Sequence, residues 1–552
     1  MPISKLAKRG WFLLFAAIAA IYLFGLSSLP LVGPDEPRYA EIAREMFARG
    51  DFITPTLGGA PWFEKPPLLY WLIAASYRVF GVNEFAARFG PALCGLVTAA
   101  FVWWTAKNVE QSDKGGSGST TGGFASWSAL VFLSCFGVIA FSRAATFDIV
   151  LTMALTGALS SFFVWYLRTS FANSGTGKHQ HLLLGFYFFL GLSLLAKGLV
   201  GSFLAVAVVG GFFIVRRELP PRVLLKSLLW GIPGTLAVAA VWYGPMTYRH
   251  GWLFIDQFFV QHHFARFLTN KFHHPQPFYF YIPIFGLLVL PWTVFLGAGL
   301  ASLRLSSLRE DSALGRMRIF AILLIVLIVG LFSMSVSKLP AYVLPAVPAA
   351  ALLVADRITA YRAKQSGKVT VRVSGILFLI AAVAANWVLW RATEVPRSSV
   401  IAGTAACAVS GLFALIFPRK TTAACLLFAG ASAVVAIAAI LGSGGLAARD
   451  SVRDLIRLAS NRGYGSAAVV GLHTVERTAE FYSADRLLYG EDGEPVKFES
   501  AADVAAAARN SGGQILCFVP VEHASQLTNY PKVQTETIAN NGSVSLLLVR
   551  VR

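Results

Sequence analysis

Gly33-Pro34-Asp35-Glu36-Pro37-Arg38-Tyr39-Ala40-Glu41 follows directly on an apolar run, residues 11–32, and that juxtaposition decides how the chain is read. Carboxylates at the mouth of a membrane span are costly beside lipid, which makes this stretch a functional-site candidate by default. Pro37 suits the opening of a helix. Beyond it Tyr39, Ile42, Ala43, Met46 and Phe47 recur at helical spacing, while Arg38, Glu41, Glu45 and Arg49 fall on the other side. The pattern predicts an amphipathic helix lying on the membrane surface. Asp35 stands at its N-terminus, where the helix dipole favours the ionised carboxylate and keeps it available as base or electrostatic stabiliser. The plainer alternative is an acidic N-cap.

The wider composition agrees with a membrane setting. Of 552 residues, 56% are hydrophobic and 14% charged, well below the charged fraction of roughly a quarter expected of a soluble enzyme. The formal net charge is +19, but the basic residues sit in short loops between apolar runs, a distribution that orients a membrane protein and attracts anionic lipid rather than nucleic acid. Five scattered cysteines offer neither a disulfide framework nor metal-ligand spacing. The first apolar run is too long for a secretory signal and lacks a small-residue cleavage site before Asp35, so it reads as an uncleaved span.

Apolar runs at 11–32, 85–105, 124–141, 149–167, 182–196, 199–215, 228–243, 278–300, 319–334, 340–355, 376–390, 400–417 and 423–441 give about thirteen spans. Residues 68–80 are also apolar, but thirteen residues of helix reach only ~20 Å, too short for a core of ~30 Å, and they read as a second interfacial helix. Lys5, Lys8 and Arg9 place the N-terminus in the cytoplasm. The loops 33–84 and 245–277 then lie outside. So does the segment 446–552, whose strand-like runs (467–472, 514–519, 544–551) alternate with helix-like ones and predict a small α/β domain behind a transmembrane domain of residues 1–445. Gly463-Tyr464-Gly465-Ser466 lacks the lysine of a phosphate loop, so no nucleotide cofactor is expected.

With that topology Asp35, Arg38, Glu64, Lys65, Asp148, Lys197, His263, Arg266 and Lys338 converge on one face. Paired carboxylates with several cations suit transfer of a glycosyl group from a phosphate leaving group: carboxylates stabilise an oxocarbenium-like centre or deprotonate an acceptor, and cations hold the departing phosphate. A lone Arg or Lys at a helix end ordinarily snorkels to headgroups; accumulation on the outer side runs against the positive-inside tendency.

Gly33-Pro34-Asp35-Glu36-Pro37-Arg38-Tyr39, Phe63-Glu64-Lys65-Pro66-Pro67-Leu68, Asp148-Ile149-Val150-Leu151-Thr152, Leu195-Ala196-Lys197-Gly198 and Ser335-Val336-Ser337-Lys338-Leu339-Pro340-Ala341-Tyr342 together resemble the membrane glycosyltransferases of the C-type fold, glycosyltransferase family 39. Within it the motifs are most similar to the lipid A aminoarabinose transferases, with protein O-mannosyltransferases more distant. The resemblance covers about the first 355 residues. It implies a sugar donor on polyprenyl (undecaprenyl) phosphate, an active site facing the periplasm from the bacterial inner membrane, and lipid A phosphate or another envelope molecule as acceptor. It also implies Asp35 and Asp148 as catalytic carboxylates, Lys65, Arg38 and Lys197 as the residues that meet the lipid phosphate, and a metal pair, zinc, at Glu64 and His263; Glu36, Arg266, Lys338 and Tyr342 complete the expected substrate site. His262 is the alternate ligand, because this chain has histidine where relatives often have an acidic residue. The competing reading is a lipid-linked sugar transporter or flippase, which would place charges near the bilayer midplane on broken helices and carry inverted repeats.

Overall fold

The computed structural model describes residues 11, 15–113, 123–171, 179–265, 276–303, 310–392, 394–490 and 493–552, with 262–265 and 388–389 followed along the backbone only. The opening helix, described over 15–23, gives way to turns, and Gly33 adopts φ +68°, a left-handed conformation natural to glycine, to swing the chain into α1, Asp35–Arg49. Helix α1 begins two residues before Pro37. After a short hairpin (β1, Thr56–Leu57, with β2, Ala60–Pro61), α2 spans Leu68–Phe80, the bounds expected from its apolar length.

The bundle follows: α3 (Glu84–Asp113), α4 (Phe124–Ser134), α5 (Phe136–Ser142), α6 (Phe147–Phe171), α7 (His181–Lys197), α8 (Leu199–Arg216), α9 (Arg222–Ile255), α10 (Tyr281–Leu288), α11 (Thr293–Ala301), α12 (Ala313–Met334), α13 (Val347–Lys364, entered through a 3-10 turn at Pro340–Ala346), α14 (Lys368–Leu389), α15 (Arg397–Ile416) and α16 (Thr421–Gly442). Among the described residues nine helices are long and apolar enough to cross a membrane, or eleven if each bent pair is one span. That is fewer than the thirteen expected. Helix α7, with 17 residues, is shorter, and only part of the first expected span is described as helix. Helix α6 is buried around almost its whole circumference, which explains why it reads as apolar on every side: it is the centre of the bundle.

Two expected spans are not straight. The run 124–141 breaks at Cys135 with a bend of 62°, and 278–300 folds back by 117° between α10 and α11. The breaks meet: the Phe136 N–H donates to the Leu290 carbonyl at 2.8 Å, and the Trp292 indole N–H donates to Ser134 Oγ at 2.9 Å. Backbone groups freed by a kink at membrane depth need partners inside the protein, and each break supplies the other's.

The expected outer loop 245–277 is also corrected in part. Helix α9 runs through Pro245 as far as Ile255, with non-helical backbone at Gly251, and continues as a π-helix, Asp256–Ala265. Its aromatic side chains explain the ordering: Trp242, Phe254 and Phe258 pack with Phe63 and Leu195 as a separate apolar cluster.

The tail forms a five-stranded sheet in the order β4-β3-β5-β7-β6, where β3 is Val469–Leu472, β4 Lys497–Phe498, β5 Gln514–Pro520, β6 Val533–Asn540 and β7 Val544–Val551. Strands β3, β4 and β5 are parallel; β7 runs antiparallel to β5 and β6. The tail rests on the polar side of α1, so that side does not face water as the amphipathic pattern implied. Glu41 is buried there beside Arg44 at 2.5 Å, and burial pushes its carboxyl up to about 8.

Candidate active site

Helix α1 is held by its buried aromatic face. Tyr39 meets Phe147 edge to face at 4.9 Å, and Tyr70 of α2 meets the same ring at 5.3 Å. Phe147 is the first residue of α6 and Asp148 the second, so this contact ties α1 near its start to the start of α6, where Asp148 stands. Asp35 is partly exposed, and among the described residues it makes no hydrogen bond or ion pair. Asp148 differs: the Lys197 ammonium, at the end of α7, pairs directly with it. Lys197 also lies 4.4 Å from the Tyr342 ring centre, a cation–π contact.

On the other flank Lys65 pairs with Glu64 at 3.0 Å. Arg38 projects over the Trp62 ring at 5.1 Å, and its Nε stands 3.6 Å from Glu480 of the tail. Burial opposes the Arg38 charge, but Glu480 and then Glu64 more than offset it. The phenols of Tyr39 and Tyr70 are held well above their ordinary value, first by burial and then by Asp35 and Glu64, so both remain protonated at neutral pH. The Tyr70 hydroxyl is buried without a hydrogen-bond partner.

Two expected substrate residues are placed elsewhere. Glu36 is turned away from this group into a buried bidentate pair with Arg88 (3.0 and 2.7 Å) and accepts the Ala145 N–H at 2.8 Å, so it is part of the scaffold. Lys338 is buried, and its ammonium donates to the carbonyls of Ser335 (2.5 Å) and Gln276 (3.0 Å). It fastens the turn that presents Tyr342; Tyr281 adds to this by donating to the Leu339 carbonyl at 3.1 Å. The side chains of His262 and His263, and all of Arg266, lie outside the described residues. Among those described no three His, Cys, Asp or Glu groups gather as metal ligands. His250, the histidine of that segment whose side chain is described, bonds Thr54 Oγ1 at 2.9 Å and packs on Phe63.

The residues that sequence reasoning missed are Trp62, Tyr70 and Glu480. Trp62, in the non-helical stretch before α2, and Tyr70, in the first turn of α2, lie close in sequence to the Glu64-Lys65 motif, and that nearness was the available signal; Glu480, a distant acidic residue in a small domain, carried none.

The described residues thus hold a carboxylate without a partner among them, Asp35, which acts with Glu64 on the Tyr39 and Tyr70 phenols, a Glu64–Lys65 pair, and an Asp148–Lys197 pair at the start of α6. A family model described as dolichyl-phosphate-mannose-protein mannosyltransferase matches residues 9–305. The undecaprenyl phosphate-alpha-4-amino-4-deoxy-L-arabinose arabinosyl transferase of Edwardsiella ictaluri is 30% identical over 445 residues, which cover 76% of this chain and 75% of that protein. Its counterpart from Yersinia enterocolitica is 34% identical over 357 residues, 64% of this chain and 60% of that protein. The crystal structure of ArnT from Cupriavidus metallidurans bound to undecaprenyl phosphate shares the fold, with a TM-score of 0.78 over 98% of both chains at 21% identity. With more than half its length matched by the family and three quarters of a 30%-identical relative covered, the chain belongs to the dolichyl-phosphate-mannose-protein mannosyltransferases, a family of membrane glycosyltransferases.

Proposed function

We propose that the chain transfers an aminoarabinose-type sugar from undecaprenyl phosphate to a lipid A phosphate at the periplasmic face of the inner membrane. The observation that carries this reading is the Asp35 carboxylate, unpaired among the described residues and acting with Glu64 on the buried phenols of Tyr39 and Tyr70, at the start of the helix that also carries Arg38. The acceptor oxygen attacks the anomeric carbon, the bond from that carbon to the donor phosphate oxygen breaks, and undecaprenyl phosphate leaves with the electron pair and one more negative charge than the bound diester had. Arg38, Lys65 and Lys197 are suited to receive that charge. A phosphate acceptor is already ionised near pH 7 and needs no base, so Asp35 serves it by stabilising the oxocarbenium-like centre; a hydroxyl acceptor would instead use Asp35 as its base. Asp148, already neutralised, acts by holding Lys197 in place.

A transporter reading lacks support from this site, because the charges lie at helix ends and in the segments between helices. Mass spectrometry of lipid A and envelope glycans from cells with and without the gene tests the proposal: loss of an aminosugar from lipid A is expected, and unchanged lipid A with a sugar missing from protein would favour the O-mannosyltransferase-like alternative.

The zinc pair is a separate proposal. Glu64 is the single expected ligand whose side chain is described, and Lys65 already pairs with it at 3.0 Å, so no step of transfer is routed through a metal. Imidazole with carboxylate suits zinc, which would tie the π-helix segment to Glu64. Elemental analysis is expected to find zinc in the purified chain and less of it in Glu64→Gln and His263→Ala. Metal-free parent protein, or undiminished metal in both variants, ends this idea and leaves Asp35 untouched.

A further inference from the structure

We propose that Glu480, delivered by the C-terminal tail, is a positioning residue for Arg38: it holds the guanidinium over Trp62 with its remaining N–H groups open to the donor phosphate. The inference rests on the reading that Arg38 meets that phosphate, and it gives the tail a part in the active site.

The geometry is specific. Glu480 is fully buried and the Arg38 side chain is 13% exposed; the closest approach, Nε to Oε2, is 3.6 Å. Both atoms are buried, and neither has a hydrogen bond. A buried carboxylate is costly unless countered, and burial does push Glu480 up from its ordinary value, while Arg38 and Arg477 pull it back. Arg477 donates to Oε1 at 3.0 Å and is itself held by Glu494 at 2.5 Å. One oxygen of Glu480 is thus secured within the tail, and the other is left for Arg38. Arg38 makes no hydrogen bond among the described residues, so the Trp62 face and the Glu480 charge define its place.

The tail is gripped firmly enough to act this way. Glu480 lies on the short helix Ala479–Tyr482, and the Tyr482 hydroxyl in the same turn accepts the Leu31 N–H at 2.7 Å and donates to Glu84 at 3.1 Å. Arg453 reaches Glu84 at 3.4 Å, and Arg44 of α1 reaches Asp485 at 3.5 Å. The Tyr489 ring packs against Gly58 (φ +60°), where an added Cβ would stand 2.4 Å from it. These contacts fall on α1 and on the segments before and after it, so the surface that carries Glu480 to Arg38 is fixed at several points.

Without the carboxylate, a long, flexible arginine side chain with an unpartnered Nε leaves the slot for water or a headgroup, and its planar fork is no longer presented to phosphate. The test uses the purified full-length chain in lipid nanodiscs and undecaprenyl phosphate as probe. Glu480→Gln, which keeps the shape, should weaken probe binding about three- to tenfold, and Glu480→Asp, one methylene shorter, should lie between. In an Arg38→Ala background the Glu480→Gln change should have no further effect, which a merely structural docking role would not predict. Melting temperature, read in parallel, confirms that binding is compared between folded proteins. Probe binding by Glu480→Gln equal to the parent's, or an equal loss with and without Arg38, overturns the proposal while leaving the proposed function standing. Failure of the parent to bind the probe removes both.

Discussion

Asp35→Asn is expected to reduce sugar transfer by at least ~10²-fold with an unchanged melting temperature. The change keeps volume and removes only charge. Because Asp35 has no partner among the described residues, no ion pair or hydrogen bond is lost with it, and the effect falls on the reaction rather than on the fold. Helix α1 keeps its anchorage through Tyr39 on Phe147 and through Glu36 on Arg88. The contrast with Asp148 sharpens the expectation. Asp148→Asn leaves Lys197 facing a neutral amide, so its first effect is on where Lys197 stands, seen as a higher donor requirement. Transfer should be followed with labelled donor in detergent, alongside thermal unfolding of each variant. Near-parental transfer by Asp35→Asn would remove Asp35 from the chemistry.

How far the sequence could lead depended on what each signal measures. Hydropathy and length found α2 with its bounds, and most of the bundle helices, because burial in lipid or in the core depends on local composition. The same signal is blind to a bend: Cys135 and the segment between α10 and α11 lie inside apolar runs, and what breaks them is the interlock of Phe136 with Leu290 and of Trp292 with Ser134, a tertiary event. Strands β5 and β7 were legible as apolar runs; β6, Val-Gln-Thr-Glu-Thr-Ile-Ala-Asn, is a polar edge strand whose pairing depends on β7. Helix α9 passes through Pro245 because aromatic packing on both sides outweighs the break that a proline signals. For the site, the motifs led to residues that the structure pairs with one another, Asp148 with Lys197, Lys197 with Tyr342 and Glu64 with Lys65, whereas Glu36 is taken up by Arg88 instead. One residue along a helix turns a side chain by about 100°, and Glu36 meets Arg88 and the Ala145 N–H where Asp35, partly exposed, meets no partner among the described residues.

Arg88→Met is accordingly expected to destabilise the protein by ~3–5 kcal/mol, the usual cost of removing one partner of a buried ion pair, and to lose transfer with it. Arg88 spends all five of its N–H donors: Nε and Nη2 on the two Glu36 oxygens, Nη1 on the carbonyls of Leu26 (2.9 Å) and Leu29 (2.8 Å), and Nη2 again on Pro30 (2.8 Å). Those carbonyls belong to the turn that ends the first span. Glu36 in return collects the Val32 N–H at 3.3 Å and the Ala145 N–H at 2.8 Å. One guanidinium thus joins the exit of the first span, the start of α1, α3 and the approach to α6, and Asp35 is the residue beside the knot. Lysine retains the charge but not the planar fork, so Arg88→Lys should recover only part of the stability and should still displace Asp35. Thermal unfolding and limited proteolysis of the 24–34 segment read the fold, and labelled donor reads transfer. Had Glu36 met the substrate, Glu36→Gln would raise the donor requirement at full stability; the structure instead requires that Glu36→Gln and Arg88→Met both lower the melting temperature, and parental melting in the two variants would return Glu36 to the substrate site.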